Sequence, residues 1–196
     1  MADRTAAIVL AGGMARRMGG TDKLVLRVAG ATLLDRVLEA AAGVSGQVVA
    51  VGPERPTAVP GVEFVQESTP GGGPLPAIAA GLRHLDHPEV VLVLAGDLPL
   101  LTSAALRRLR DGLAADPASE AMTAADHAGR PNPLLAAYRA PALGRAVHRW
   151  GSAGEAASRL LPRAVAVVDL GPEATLNVNS PLDLEEAARL AGLHPS

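Results

Sequence analysis

Apolar positions along the chain follow two alternating patterns. Short β-branched runs are separated by amphipathic stretches at helical spacing, which predicts mostly parallel strands joined by crossover helices. Thr5 to Leu10 is the first run, and a glycine-rich segment follows it. Leu24 to Val28 reads as a short extended segment ending in an Ala29-Gly30 turn. Thr32 then caps a helix with Leu33, Leu34, Val37, Leu38 and Ala41 on one face, and Gly43 stops it. Gln47 to Val51 is the second strand, a loop with three prolines covers 52–61, and Val62 to Gln66 is the third strand.

The second half continues the alternation. A loop, Glu67-Ser68-Thr69-Pro70-Gly71-Gly72-Gly73, feeds a helix with Pro74 in its first turn and Leu75, Ile78, Ala79, Leu82 and Leu85 on one face. Val90 to Ala95 is apolar throughout, as a central parallel strand buried on both faces should be. Gly96-Asp97-Leu98-Pro99 ends it, and Thr102 or Ser103 caps the next helix, with Leu106, Leu109 and Leu113 inward. Glu120 to Ala125 and Pro133 to Tyr138 flank a polar turn and read as a hairpin that adds an antiparallel strand. Pro141 to Trp150 and Gly154 to Leu161 read as weak helices, and Ala164 to Leu170 as a strand. At the close Ser180 caps, Pro181 takes the first helical position and Asp183 completes a capping-box-like pattern. No internal repeat or long linker interrupts the chain, so a single domain over 1–196 is expected.

Composition narrows the function classes. Aromatic residues are only 2% of the 196 positions, so base stacking is scarce and the core must be aliphatic. Eighteen Lys and Arg against 20 Asp and Glu give a formal net charge of -2, which removes the electrostatic case for nucleic acid. The absence of cysteine excludes disulfides, thiolate metal sites and a cysteine nucleophile. The first apolar run is too short for an export signal and no window reaches the length of a membrane span, so a cytoplasmic protein without membrane attachment is expected.

The chemistry concentrates in Leu10-Ala11-Gly12-Gly13-Met14-Ala15-Arg16-Arg17-Met18-Gly19-Gly20-Thr21-Asp22-Lys23. Glycines let the backbone approach a ligand closely, and two arginines and a lysine supply local positive charge, a combination suited to a polyphosphate. The segment fits neither Gly-x-Gly-x-x-Gly nor the Gly-Lys-Ser/Thr of a P-loop. Within it Arg17 suits two phosphate oxygens at once and Lys23 acts as a point charge, with Arg16 at the surface.

Asp97 follows a buried strand at the end where open α/β sheets place ligands. If the strands ending at Leu10 and Ala95 are neighbours at the switch point, Asp97 faces the glycine segment, and Mg²⁺ suits a carboxylate beside a polyphosphate. The second glycine loop points the amino end of a helix at an anion or a base edge. Glu67 has two readings, a solvated strand end or a contact to the nucleotide sugar. Asn177 and Asn179 likewise read as turn residues or as polar ligands at the site edge. His84 and His87 beside Asp86 read as a solvated helix end, and no Gly-x-Ser-x-Gly elbow is present.

Together with Gly71-Gly72-Gly73-Pro74-Leu75, Ala95-Gly96-Asp97-Leu98-Pro99, Arg130-Pro131-Asn132-Pro133-Leu134 and Asn177-Val178-Asn179-Ser180-Pro181, the opening segment resembles the molybdenum cofactor guanylyltransferase family. The resemblance runs from residue 5 to about residue 190. It implies a three-layer Rossmann-like fold of glycosyltransferase-A type, with a mixed, mostly parallel sheet. It also implies Mg²⁺-dependent transfer of GMP from GTP to molybdopterin carrying molybdenum, with release of pyrophosphate.

By match, Leu10, Ala11, Gly12 and Gly13 border guanine and phosphates, Lys23 binds phosphate and Asp97 binds Mg²⁺. Glu67 falls near the family's nucleotide-binding aspartate. Arg17, Gly20, Gly73, Asn177 and Asn179 lie toward the acceptor. Molybdoenzymes or cofactor-insertion proteins are the macromolecular partners the family implies. Leu24 and Asn132 stand where many members carry glycine and histidine, which points toward relatives that use CTP with molybdopterin or GTP with phospholactate. The Asn-Val-Asn-Ser-Pro ending points back to the guanylyl members.

Overall fold

A computed structural model describes residues 4–12, 22–67, 71–126, 128–152 and 154–193. In chain order the strands are β1 (Thr5–Leu10), β2 (Arg27–Val28), β3 (Ala31–Thr32), β4 (Gln47–Val51), β5 (Val62–Val65), β6 (Val90–Ala95), β7 (Ala121–Ala125), β8 (Pro131–Arg139) and β9 (Val165–Val168). The helices are α1 (Leu33–Ala42), α2 (Pro74–Leu82), α3 (Ser103–Ala115), α4 (Ala140–Trp150) and α5 (Pro181–Leu193).

Among the described residues seven strands form one sheet in the order β5-β4-β1-β6-β8-β7-β9, and β2 pairs with β3 in a separate ribbon. β4, β1 and β6 are parallel in register, with Leu10 opposite Val51 on one side and Ala95 on the other. β8 runs antiparallel to both of its neighbours, while β9 joins the edge parallel to β7. The chain therefore builds outward from β1 to β5, then returns to the other side of β1, which makes β1 the switch point of the sheet.

Period-two alternation along the strands feeds two cores. Ala7, Val9, Val48, Ala50, Leu92 and Leu94 face α1 and α3, whose Leu34, Leu38, Leu106 and Leu109 are buried. Ile8, Val49, Val51, Val91 and Val93 face α2 and α4 through Leu75, Ile78 and Leu143. A third cluster joins α5 and the segment before it to β2 and α1 through Val178, Ala187, Val28 and Leu33. Tyr138 is fully buried and donates its hydroxyl to the carbonyl of Pro133 at 3.0 Å.

The local signals account for most boundaries. Thr32 accepts from the amide of Asp35 at 2.9 Å and Thr102 from that of Ala105 at 3.2 Å, so Thr102 rather than Ser103 is the cap of α3. Three expectations are corrected. Leu24 to Val28 is not extended throughout, because Lys23–Val25 forms a 3₁₀ turn whose Leu24 amide is held by the Asp22 carboxylate. α2 stops at Leu82, with Arg83 as its C-cap; Leu85 still packs on the second core from the turn that follows. The stretch expected as a helix from Gly154 to Leu161 contains a single 3₁₀ turn, Ala157–Leu160, whose N-cap Ala156 offers no side-chain cap.

The end of β1 is enclosed by glycines on both neighbouring strands. Ala11 donates its amide to Val51 at 2.8 Å, and the carbonyl of Leu10 accepts from Gly96 at 3.0 Å. A Cβ on Gly52, which has φ +149, would lie 2.5 Å from the carbonyl carbon of Ala11, and one on Gly96 would lie 2.7 Å from the Leu10 oxygen. Gly52→Ala is expected to destabilise the protein by about 2 kcal/mol or more, read as a lowered midpoint in denaturant with an unchanged slope. Wild-type stability in that variant would show that the β1 end can shift without cost.

Candidate active site

The carboxyl ends of β1 and β6 bring together residues from four separate stretches of sequence. Lys23 Nζ lies 2.5 Å from Asp97 Oδ2, 3.1 Å from the carbonyl of Val178 and 3.1 Å from Asn179 Oδ1. Both charged side chains are largely enclosed, Asp97 being 13% and Lys23 24% exposed. The backbone of Asp97 also accepts from the amide of Val178 at 3.0 Å, which ties the Asn177–Asn179 segment to the end of β6.

Lys23 is directed from both sides of its own turn. Upstream, Asp22 caps the turn; downstream, Leu24 is buried in the first core, and its side chain reaches within 3.4 Å of where a Gly96 Cβ would lie. The leucine that departs from the family pattern is thus a packing anchor beneath the residue preceding Asp97. Asn132, the other departure, accepts from the amide of Leu134 at 3.0 Å within β8.

Among the described residues, Asp97 Oδ1, Asn177 Oδ1 and Glu67 Oε2 are buried side-chain oxygens with no hydrogen-bond partner, as are the hydroxyls of Ser45 and Thr123. Buried acceptors normally find donors, and the one on Asp97 lies at the carboxyl end of β6, where open α/β sheets take ligands. The other oxygen of Glu67 accepts from the amide of Gly71 at 2.7 Å, which makes Glu67 a brace of the second glycine loop. Gly73 is the N-cap of α2, and Gly72 accepts from the amide of Gly154 at 2.9 Å. At the end of α4, Trp150 packs against two guanidinium groups, with Arg149 at 4.9 Å and Arg159 at 4.4 Å from its ring centroid.

The structure brings Lys23, Asp97 and Asn179 into direct contact, with Asn177 next to them in sequence and Leu10, Ala11 and Gly12 at the adjoining end of β1. Gly13, Arg17 and Gly20 lie outside the described residues. His84 is exposed and pairs with Glu63 at 2.7 Å. Among the described residues no group of three or more His, Cys, Asp or Glu could hold a metal by itself. Asp97 fits a cation nonetheless, because its free Oδ1 supplies one hard oxygen and a nucleotide's phosphates and water supply the rest.

Sequence reasoning passed over Asp22 as a cap and Arg55 altogether. Arg55 is buried against Asp22 although it belongs to a proline-rich loop that looks like surface. The available signal was the position of that loop directly after the strand that pairs with β1.

A sheet that reverses at β1, with a lysine and a carboxylate at the reversal and no base-stacking aromatics, is the framework of an α/β nucleotide-handling enzyme. Residues 7–167 match the MobA-like NTP transferase domain, and the chain belongs to that family of nucleotidyltransferases. It is 36% identical over 195 residues to a molybdenum cofactor guanylyltransferase of Acidiphilium cryptum, covering 93% of this chain and 94% of the relative. It is 34% identical over 187 residues to a probable molybdenum cofactor guanylyltransferase of Synechococcus elongatus, covering 91% and 95% respectively. In fold it is similar to the crystal structure of molybdopterin-guanine dinucleotide biosynthesis protein A from Archaeoglobus fulgidus, with a TM-score of 0.67 and 24% identity over 96% of this chain and all of that one. Among the described residues no helix is long and apolar enough to cross a membrane.

The segment carrying Asn177 and Asn179 is pinned to α5 by charge. The Asp183 carboxylate accepts from the amides of Asn179 and Ser180, each at 2.8 Å, while Ser180 Oγ accepts from the amide of Asp183. These bonds, first of all that from Asn179, hold the carboxyl below its usual range, with a further contribution from Lys23. A depressed folded-state pKa stabilises the fold above the unfolded value and is lost as pH falls through the folded one. Asp183→Asn is therefore expected to lower the melting temperature at neutral pH, with the difference shrinking below about pH 4. A difference that persisted unchanged into acid would remove the charge from this account.

Proposed function

We propose that this chain transfers GMP from GTP to the terminal phosphate of molybdopterin carrying molybdenum, releasing pyrophosphate. The observation that carries this reading is the Lys23–Asp97 pair at the switch point, with Asp97 Oδ1 left without a partner among the described residues. Family membership and the names of full-length relatives supply the acceptor and the base.

The acceptor's phosphate oxygen attacks the α-phosphorus of GTP in line. A new P–O bond forms as the bond to the β-phosphate oxygen breaks, and pyrophosphate leaves with the electron pair. An ionised phosphate is already a nucleophile, so the site needs no general base. The work left to the protein is positioning and neutralisation of charge. Lys23 exchanges its oxygen partners on the protein for oxygens of the triphosphate, and Arg17 joins it as a second phosphate ligand.

Asp97 Oδ1 would be the protein ligand for Mg²⁺, which would neutralise triphosphate charge when bound with the nucleotide. Leu10, Ala11, Gly12, Gly13 and Glu67 form the nucleotide side. Gly20, Gly73, Asn177 and Asn179, with Arg17, form the acceptor side.

Pyrophosphate release from GTP, measured with molybdopterin and Mg²⁺ supplied, tests the reading. The wild-type chain is expected to turn over, and Asp97→Ala to lose at least ~100-fold in rate while still unfolding cooperatively, at a melting temperature lowered by up to about 15 °C because the enclosed lysine loses its partner. Wild-type turnover in that variant would sink the assignment. Release from CTP in preference to GTP would overturn the base, and GTP binding without release would overturn the catalytic role.

A further inference from the structure

We infer that Arg55 is the positioning residue for Lys23, acting on the lysine through the Asp22 carboxylate. Its side chain is 9% exposed, and its fork points in two directions. Nε donates to Asp22 Oδ2 at 2.6 Å, while Nη1 donates to the carbonyls of Ala11 at 2.7 Å and Pro53 at 3.0 Å. Ala11 directly follows β1 and Asp22 caps the turn that carries Lys23, so one guanidinium joins the described residues on either side of 13–21.

The coupling to Lys23 runs through defined bonds. The second oxygen of Asp22 accepts from the amide of Leu24 at 3.1 Å, which caps the 3₁₀ turn starting at Lys23. Without Arg55 that carboxylate is free to rotate into solvent, since it is 40% exposed, and the turn loses its cap. The backbone of Lys23 is then no longer fixed relative to Asp97.

A lysine at position 55 cannot replace the fork, because a single ammonium cannot reach the Asp22 carboxylate and the Ala11 carbonyl in the arginine's planar geometry. Neither β1 nor β6 depends on these bonds for its pairing, which is complete without them. Arg55 therefore governs the aim of a charge rather than the integrity of the sheet.

This inference rests on the proposed binding of a nucleoside triphosphate, and the test separates the two. In the full chain, GTP and guanosine affinities are measured by calorimetry with Mg²⁺ present for wild type, Arg55→Met, Arg55→Lys and Asp22→Asn. Exchange of the Leu24 amide is followed by NMR without ligand.

Each substitution is expected to weaken GTP about tenfold and guanosine by no more than about twofold. Leu24 exchange should rise about tenfold while the amides of Ala7 to Val9 stay protected. In a Lys23→Met background, Arg55→Met should add no further loss of GTP affinity, since both act through one ammonium. Unchanged GTP affinity, equal loss for GTP and guanosine, additive losses with Lys23→Met, or unchanged Leu24 exchange would each overturn the assignment. If wild type binds no GTP, the nucleotidyl-transfer reading falls, and Leu24 exchange alone decides whether Arg55 fixes the turn.

Discussion

Lys23 and Asp97 stand 74 positions apart and meet at 2.5 Å because β1 and β6 end side by side. The parallel register of Leu10 with Ala95 brings the two strand ends level, and the segments that leave them converge on one point. Gly52 and Gly96 allow this by leaving room against the terminal carbonyls of β1. The apolar cores on both faces hold the register, so the position of two charges is set by aliphatic packing some distance from either.

Electrostatically, the pair satisfies both groups before any ligand arrives. In the proposed reaction Asp97 would keep one oxygen for a cation while the other holds the lysine. A triphosphate bringing its own metal can replace both halves of the contact together, with phosphate oxygens for Lys23 and the cation for Asp97. A free cation gains only one half. Under the proposed function the arrangement would favour arrival of metal and nucleotide as a unit.

Much of this was legible in the chain. The β-branched runs marked β1, β4 and β6 to the residue, since continuous burial on both faces leaves little choice of residue type there. The caps of α1 and α5 were equally plain, because their bonds are local. The polar turn between two β-prone runs announced the hairpin, but not that β8 inserts between β6 and β7, nor the register shift at Thr123/Ala124, which only tertiary pairing decides. The turn at Lys23–Val25 was hidden because its cap, Asp22, sits in a charged segment with no apolar pattern, and the burial of Arg55 because its partner Asp22 lies 33 positions away in sequence. Charge in a proline-rich loop carries no mark of the strand it will lie against.

The scarcity of rings that excluded base stacking also gives the molecule a spectroscopic simplicity. Trp150 is its single tryptophan, beside one tyrosine that is buried far down the sheet at Tyr138. The indole rests against two guanidinium groups, and the segment just beyond it donates Gly154 to the carbonyl of Gly72 in the second glycine loop. The protein thus carries one indole, one short loop away from the segment that opens α2. Light emitted on excitation beyond the tyrosine band comes from that side of the molecule alone.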